Sequence, residues 1–371
     1  MIEGPRAARA SELKGLIALA NTVFRPAVNE DMGADFPTLY SAGNLDNLRV
    51  CVDEGKPVSL VAQLVSDLQL GGARLRVTCL GSVCSLEAYR GQGLATRLVE
   101  DAFAQARGQG AVVALISGGR GLYRRMGCID AGLYQAVTVD TASRVPAMRC
   151  EVREWTPADV PFLCALHRRE PVRFVRDEQK TRAALSTGKV HARAGRTWVV
   201  LVNERVCAFI VASLPVRVED GKRLAVREMA GSRAAILAAM PAVLRQAGLT
   251  EAELDAPASD NELRVLAEAN GLRSRPMGFH GTVRIIDVAG TLAALKGWID
   301  ERADGARLVI EPGVQTRFSL DGESMTVSTE DLAALVFGSI ERPAPAAPAG
   351  LAKVMERIFP VPLPCYGLSY T

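Results

Sequence analysis

The most regular pattern of apolar and polar positions lies in residues 80–127. The segment begins with an apolar, strand-like run and continues into a basic, glycine-rich turn at residues 90–93. After the turn, apolar residues recur at helical spacing on one face, which predicts an amphipathic helix that ends at residues 108–110. Residues 111–116 are a continuous apolar run, typical of a strand buried on both faces. The pattern predicts a βαβ-like unit that is open at its turn.

The turn at residues 90–93 has the chemistry of an anion-binding site. A helix N-terminus has backbone N–H groups without helical partners, and its aligned peptide dipoles favour negative charge. Gly91 and Gly93 lack a Cβ atom, so a ligand can approach the backbone and φ can be positive. The spacing matches neither a nucleotide P-loop nor a dinucleotide-binding fingerprint. The turn therefore suits a pyrophosphate, although glycine turns of this kind also occur for packing alone.

Two motifs together resemble the GNAT superfamily of N-acetyltransferases. In that family a turn of the pattern [Q/R]-x-x-G-x-[G/A] opens the helix that holds coenzyme A, and residues 90–95 (RGQGLA) are similar to it. Residues 121–127 (GLYRRMG) look like the family's later segment, in which a Tyr, here Tyr123, sits in a short helical turn that ends at a glycine. The resemblance implies acetyl-CoA as co-substrate and an amine as acceptor.

Residues 1–79 read as the first half of the same domain. The pattern predicts a helix over residues 12–23 with Ser11 as its cap. Strands are predicted at residues 49–52, 58–64 and 73–80. The polar segment between helix and strands commonly lines the acceptor pocket in the acetyltransferase fold, and its acidic residues would either hold a cationic amine or be solvated loop charges. Its polar residues include Asn29, Glu30, Asp31 and Asp35.

Residues 151–283 repeat this order of elements. A proline-capped helix start at residues 156–160 is followed by predicted strands and one further helix. The predicted strands are residues 197–202, 206–214, 223–229 and 253–256, and the helix is residues 232–246. Residues 229–234 (MAGSRA) stand where the basic glycine turn would be. We therefore expect a degenerate second copy that does not bind coenzyme A.

The last ninety or so residues change character and end in an apolar, proline-rich tail. Short strands and helices are predicted at residues 283–288, 291–299, 307–311, 315–320, 324–327, 329–335 and 351–358, with Thr329 as a helix cap. Prolines alternate with other residues in residues 360–364, which stiffens the chain, and Tyr366 and Tyr370 are too apolar for a solvated end. We expect the tail to dock, which would fix the carboxylate of Thr371 where it could act as a base.

The order of these units resembles the enhanced-intracellular-survival (Eis) type of acetyltransferase over the whole chain. The resemblance implies an α/β (α+β) fold with tandem GNAT-like mixed-sheet domains, residues 1–150 and 151–283, and a small sterol-carrier-like α/β domain, residues 284–371, whose tail reaches the active site. It also implies a hexamer, Tyr123 as general acid and Thr371 as general base. The coenzyme A contacts that it implies are Val83 and Ser85 on the strand and Arg90, Gly91, Gln92, Gly93, Leu94, Ala95 and Thr96 at the turn.

Composition narrows the remaining classes of function. The chain has 371 residues, a formal charge of only +3 and 49% apolar residues, so neither nucleic acid nor an anionic membrane is an expected partner. No signal-like segment or long apolar stretch is visible, which favours the cytoplasm. The scattered cysteines and three histidines lack metal-ligand spacing, so no metal is expected.

Several alternatives stay open from the residues alone. Tyr123 could be a core aromatic with a bonded hydroxyl, and the tail could dock only for packing in an oligomer. The protein could also bind acyl-CoA or a lipid as a non-catalytic sensor. The acceptor amine is open between polyamines, aminoglycosides, protein lysines and peptide N-termini.

Overall fold

The structure is a computed structural model that describes residues 1–25, 31–215 and 223–371. The fold is mixed α/β, as expected. The described strands are β1 (Glu3–Ala7), β2 (Leu48–Asp53), β3 (Lys56–Leu70), β4 (Ala73–Ser85), β5 (Val113–Ile116), β6 (Leu133–Asp140), β7 (Glu151–Glu154), β8 (Val172–Phe174), β9 (Lys189–Val190), β10 (Arg193–Val202), β11 (Arg205–Ser213), β12 (Arg223–Gly231), β13 (Glu251–Pro257), β14 (Arg273–Gly278), β15 (Thr282–Ile285), β16 (Val309–Glu311), β17 (Thr316–Leu320) and β18 (Glu323–Val327).

Helices connect these strands and cover the sheets. They are α1 (Leu13–Phe24), α2 (Met32–Asp35), α3 (Leu94–Gly108), α4 (Gly121–Arg125), α5 (Val160–Arg169), α6 (Glu178–Ser186), α7 (Arg233–Ala247), α8 (Asn261–Ala269), α9 (Val288–Ala294), α10 (Lys296–Ala303), α11 (Thr329–Phe337) and α12 (Ala349–Ile358). In the part of the chain that the structure describes, no helix has the length and apolar character needed to cross a bilayer.

The first two sheets repeat one pairing pattern. The N-terminal sheet has the order β1-β2-β3-β4-β5-β15, with β8 added at the far end of β3. Only β4 and β5 are parallel along this path. The second sheet has the order β7-β10-β11-β12-β13-β6-β14, and only β12 and β13 are parallel. Helix α3 connects the parallel pair of the first sheet, and α7 connects that of the second.

Both of these sheets take strands from the other half of the chain. Strand β6 lies within the predicted domain 1–150, yet it pairs with β13 and β14 in the second sheet. Strand β15 lies at the end of the predicted domain 151–283, yet it pairs with β5 in the first sheet. The two halves are therefore interlocked by an exchange of strands.

Helix α3 has the buried face that its apolar spacing predicted. Its side chains Leu94, Leu98, Val99, Ala102 and Phe103 are all buried, at most 6% exposed, in one cluster with strands of the first sheet. Burying an aliphatic or aromatic side chain contributes roughly 1.5–3 kcal/mol. The helix is thus held firmly on the sheet, and its N-terminus has a fixed position beside β4.

Two predicted helix caps were each wrong by one residue. Helix α1 follows a 3-10 turn, Ala10–Glu12, and Glu12 rather than Ser11 is its N-cap. Ser328, not Thr329, caps α11, because the Ser328 Oγ atom accepts a hydrogen bond from the Asp331 N–H group. In both cases neighbouring residues compete for the same cap, and the tertiary path of the chain decides between them.

The third sheet is small and antiparallel, with the order β16-β17-β18. It packs with α9–α12 and with the tail into one apolar cluster, which also includes side chains of β4 and β5. In the tail Val361 and Leu363 are fully buried and Tyr366 is 2% exposed. The last residues of the chain therefore have a fixed path against both large sheets.

Candidate active site

The first sheet opens at the carboxyl end of its parallel strand pair. Strands β4 and β5 pair from Val77 opposite Val113 to Leu80 opposite Ile116, where β5 ends. Strand β4 continues to Ser85 and keeps its partner β3 on the other side. Open α/β sheets bind ligands in a crevice of this kind, outside the carboxyl ends of the strands.

A β-bulge in β4 marks the start of the opening. Val61 lies opposite Val83 and Gln63 lies opposite Leu80, so that Gly81 and Ser82 together face the single residue between Val61 and Gln63. An extra residue of this kind bends the strand and increases its twist. The bulge therefore turns the end of β4 away from β5.

The backbone of β4 presents polar groups to this opening. The Leu86 N–H group donates to the Val58 carbonyl oxygen, at 2.9 Å between N and O, and thus points toward β3. Because successive residues of a strand point their N–H and C=O groups to alternate sides, those of Val83 and Ser85 point the other way. The two residues that the sequence singled out on this strand therefore have backbone groups at the open edge.

The glycine turn lies at the N-terminus of α3, as predicted. Gly91 and Gly93 have φ values of 78° and 73°, and no heavy atom lies within 4 Å of a Cβ atom built on either. The first helical hydrogen bond of α3 runs from the Arg97 N–H group to the Gly93 carbonyl oxygen. The N–H groups of residues 94–96 therefore have no acceptor within the helix. Arg90 and Gln92 are exposed. The turn has the open space and the donors that an anionic ligand requires.

Tyr123 lies on α4 and is 6% exposed. Burial raises the pKa of its hydroxyl to about 12, against a smaller opposing effect of Arg120. Among the described residues, no hydrogen bond is made by the Tyr123 hydroxyl. At neutral pH the Tyr123 hydroxyl is therefore protonated, and it donates to no described residue. In this it differs from a core tyrosine, whose hydroxyl is usually hydrogen-bonded.

A cavity of about 250 Å³ brings Tyr123 and Thr371 together at the opening of the first sheet. The two residues line it with Gly81, Ser82 and Val83 of the β4 bulge. Thr371 is 8% exposed, and its carboxyl carbon lies 3.1 Å from a Cβ atom built on Gly81. The end of the chain is therefore packed against the bulge of the same strand that carries the open backbone groups.

The last aromatic side chain of the tail rests on a residue that the sequence did not single out. The Tyr370 ring stacks on His191, with 4.4 Å between ring centroids and 20° between planes. On another side the Phe36 ring lies 6.4 Å away. His191 has φ 52° and sits in the short connection between β9 and β10. Nothing in the apolar pattern distinguishes this histidine, because its partner lies 179 positions later in the chain.

The described acidic residues before β2 make contacts within the protein. Asp35 pairs with Arg25 at 3.4 Å and with Lys189 at 3.8 Å. Asp31 caps α2 by accepting a hydrogen bond from the Gly33 N–H group at 3.1 Å. These contacts give both side chains structural roles. Asn29 and Glu30 lie outside the described residues.

The burial of His167 predicts that the stability of the fold depends on pH. It is 7% exposed, and burial, followed by the Arg176 charge, lowers its pKa from 6.5 to about 3. Because the pKa of His167 is lower in the folded state than in the unfolded state, neutral His167 stabilises the fold above pH 6.5. This contribution to the free energy of unfolding is lost as the pH falls toward 3. Between pH 6.5 and about 5 the loss is roughly 2 kcal/mol. Urea denaturation at several pH values measures the free energy of unfolding. We expect this free energy to change less steeply with pH in His167→Gln; an equal slope in the two proteins would contradict the role of His167.

Comparison with known proteins gives the class of the N-terminal third of the chain. A family model described as acetyltransferase (GNAT) domain matches residues 5–129, which contain the bulge, the glycine turn and Tyr123. The chain therefore carries a GNAT acetyltransferase domain, as the two motifs predicted. No curated protein matches the chain significantly.

Solved structures extend the likeness in fold to the whole chain. Eis1 from Mycobacterium abscessus has a TM-score of 0.67 and 16% identity, over 100% of both chains. A GCN5-related N-acetyltransferase from Anabaena variabilis has a TM-score of 0.69 and 15% identity, over 98% of this chain and 99% of that one. One from Kribbella flavida has a TM-score of 0.66 and 16% identity, over 98% of each. The chain therefore has the fold of these proteins, and residues 5–129 match an acyltransferase domain.

Proposed function

We propose that this protein is an N-acetyltransferase that moves an acetyl group from acetyl-CoA to a primary amine. Tyr123 acts as general acid and the Thr371 carboxylate as general base. The observation that carries the proposal is a cavity lined by both residues, at the point where β4 leaves β5. A chain that only bound acyl-CoA would need neither an unpaired tyrosine hydroxyl nor a carboxylate there.

The chemistry requires proton transfer at two atoms. An alkylamine with a pKa of about 10.4 is mostly protonated at neutral pH, so a base must remove one proton before its nitrogen can attack. The Thr371 carboxylate takes this proton and passes it to solvent. The nitrogen then forms a bond to the thioester carbon and the carbon–sulfur bond breaks. Tyr123 protonates the sulfur, and the second proton that leaves the nitrogen restores the tyrosine.

The open edge of β4 suits the acyl-CoA arm and the charge that develops during attack. The backbone groups of Val83 and Ser85 can pair with the amides of the pantetheine arm. A backbone N–H group near them can hold the oxyanion of the tetrahedral intermediate, an interaction typically worth about 10²–10³-fold in rate. The turn Arg90–Gly91–Gln92–Gly93 and the backbone of Leu94, Ala95 and Thr96 would contact the phosphates. Leu94 can contribute only its backbone, because its side chain is 3% exposed.

A carboxylate introduced at the turn should abolish tight binding of the donor. In Gly93→Glu the new side chain would occupy the pyrophosphate space and place a negative charge at the helix N-terminus. We expect the acetyl-CoA Kd to rise about 100-fold, equivalent to about 2.8 kcal/mol. Gly55→Glu is the matched control, since Gly55 has φ 78° and equally empty surroundings in the β2–β3 turn. Calorimetric titration distinguishes the two, and equal Kd values would contradict the phosphate site.

Turnover with a panel of amines tests the proposed activity. Thiol release from acetyl-CoA is followed with small polyamines, aminoglycosides, lysine peptides and peptide N-termini, and mass spectrometry locates the acetyl group on the product. Amine-dependent release with an acetylated nitrogen is the expected result. Tight acetyl-CoA binding without turnover on any amine would instead favour the sensor.

Three further predictions stay predictions. They are the hexamer, the sterol-carrier likeness of residues 284–371 and the three-domain division.

A further inference from the structure

The second sheet has an opening that corresponds to the one in the first. Strands β12 and β13 pair in parallel from Arg223 opposite Glu251 to Val226 opposite Leu254, and β12 then continues to Gly231 paired only with β11. The register of β11 and β12 shifts at this point, as that of β3 and β4 does at Gly81. By its place in the repeat, this opening is the counterpart of the proposed acyl-CoA cleft.

A carboxylate of the chain itself occupies the anion position of this second opening. The Glu170 carboxylate accepts a hydrogen bond from the Gly231 N–H group at 2.9 Å and pairs with Arg233 at 2.6 Å, at the start of α7. Ser232 caps the same helix by accepting from the Ala235 N–H group at 3.2 Å. A ligand phosphate would have to displace this ion pair. The opening is therefore unsuited to acyl-CoA, in agreement with the missing basic turn.

The tail of the chain passes along this opening and contacts all three strands around it. The Tyr134 hydroxyl on β6 donates to the Pro364 carbonyl oxygen at 2.6 Å. The Cys365 thiol lies 3.5 Å from the carbonyl oxygen of Asp255 on β13. On β12, the Glu228 carboxylate accepts a hydrogen bond from the Leu368 N–H group at 2.8 Å.

Glu228 and Arg176 form the tightest part of this contact. Arg176 donates to Glu228 at 2.9 Å and, through the same nitrogen, to the Ser369 Oγ atom at 3.0 Å. A Cβ atom built on Gly367 would lie 2.1 Å from the Glu228 Oε2 atom, and Gly367 has φ 50°. Burial opposes the charge on Glu228, but Arg176 outweighs it and lowers the Glu228 pKa to about 2, so the pair is ionised at neutral pH. The tail backbone is thus held from both sides.

The Glu228–Arg176 pair lies close enough to Thr371 to set the position of the chain's end. Thr371 follows Leu368 by three residues, a distance of at most about 11 Å in extended chain. Thr371 lines the cavity of the first sheet, whereas Glu228 belongs to the second.

We propose that the opening of the second sheet has become the holder of the chain's own tail, and that Glu228 and Arg176 are positioning residues that place the Thr371 carboxylate in the active site of the first sheet. The inference rests on the proposed base role of Thr371. It gives the second GNAT-like copy a function in the reaction even though that copy binds no acyl-CoA.

Steady-state kinetics of Glu228→Gln test this inference. The variant keeps the shape of the side chain. It removes the negative charge that pairs with Arg176, and it replaces the carboxylate that accepts the hydrogen bond of the Leu368 N–H group with a neutral amide. A catalytic group displaced by about 1 Å can lose up to about 10²-fold in rate, so we expect kcat to fall at least about 10-fold while KM for acetyl-CoA stays constant. Glu170→Gln is the matched control. It breaks an ion pair in the same opening without touching the tail, and should leave kcat unchanged.

A chain that lacks Thr371 separates this inference from the proposed function. Since Glu228 acts through Thr371, the Glu228→Gln substitution should lower kcat no further in the shortened chain; an additional loss of the same size would overturn the inference. A wild-type rate for Glu228→Gln, with a low rate for the shortened chain, would overturn the positioning role of Glu228 and leave the base role of Thr371 intact. A wild-type rate for the shortened chain would refute the base role itself. Thermal melting confirms that each variant is folded.

Discussion

Removal of Thr371 should lower kcat for amine acetylation by about 10²- to 10⁴-fold, the usual contribution of a general base. The shortened chain ends at Tyr370, so its carboxylate lies one residue back, about 3.8 Å from the position that Thr371 provides. KM for acetyl-CoA should stay constant, because the glycine turn and β4 are untouched. Steady-state thiol release at saturating acetyl-CoA measures both quantities.

The substitution Thr371→Ala separates the carboxylate from the side chain. This variant keeps the main-chain carboxylate at the same position and loses only the hydroxyl and methyl groups. It should retain a rate far above that of the shortened chain. If both variants lost activity equally, the Thr371 side chain and not its carboxylate would be the important group, and the assignment of the base would be wrong.

Tyr123→Phe should also lower kcat by about 10²- to 10⁴-fold, since it removes only the hydroxyl that protonates the departing sulfur. The ring keeps its packing, and no hydrogen bond within the described protein is lost, so stability should change little. The loss should shrink with an acetyl thioester of a more acidic thiol, whose sulfur needs less protonation. Both acetyl donors are compared in the same thiol-release assay.

Tyr89→Phe is the matched control for this prediction. The Tyr89 hydroxyl donates to the Asp53 carboxylate at 3.0 Å, outside the cavity of Tyr123 and Thr371. It should keep the wild-type kcat. A Tyr123→Phe enzyme that matched Tyr89→Phe with both donors would contradict the role of Tyr123 as general acid.

The local parts of the site could be predicted because their signals are local. The glycine turn, the apolar face of α3 and the helical turn around Tyr123 each depend on residues within about one helix of one another. The turn geometry was fixed by two glycines, whose positive φ values the structure shows. Those features also distinguished the GNAT family from nucleotide-binding folds.

The exchange of strands between the two large sheets could not be predicted. Residues 133–140 have the same alternating, β-branched character whichever sheet they join, and their partner β13 begins 111 residues after the strand ends. The sequence pattern gives the face and length of a strand but not its neighbour. A division along the chain therefore does not show which sheet a strand joins.

The residues that contact the tail could not be predicted from the sequence for a similar reason. Glu228 reads as one of three charged residues in strand β12, and Arg176 stands in a short polar connection. Their meaning depends on contacts with residues 140 and 193 positions away. One local signal was present. Glu228 stands in a strand that is predicted to be buried, and a buried carboxylate requires a charged or hydrogen-bonding partner.

Single-turnover acetyl transfer tests the central claim most directly, because it measures the chemical step apart from product release. Enzyme in excess over acetyl-CoA is mixed with the best amine of the panel, and the acetylated product is followed over time. We expect rapid transfer by the wild type and transfer slower by orders of magnitude in a chain that combines Tyr123→Phe with loss of Thr371, with acetyl-CoA binding intact. Equal transfer rates in the two proteins would contradict the account.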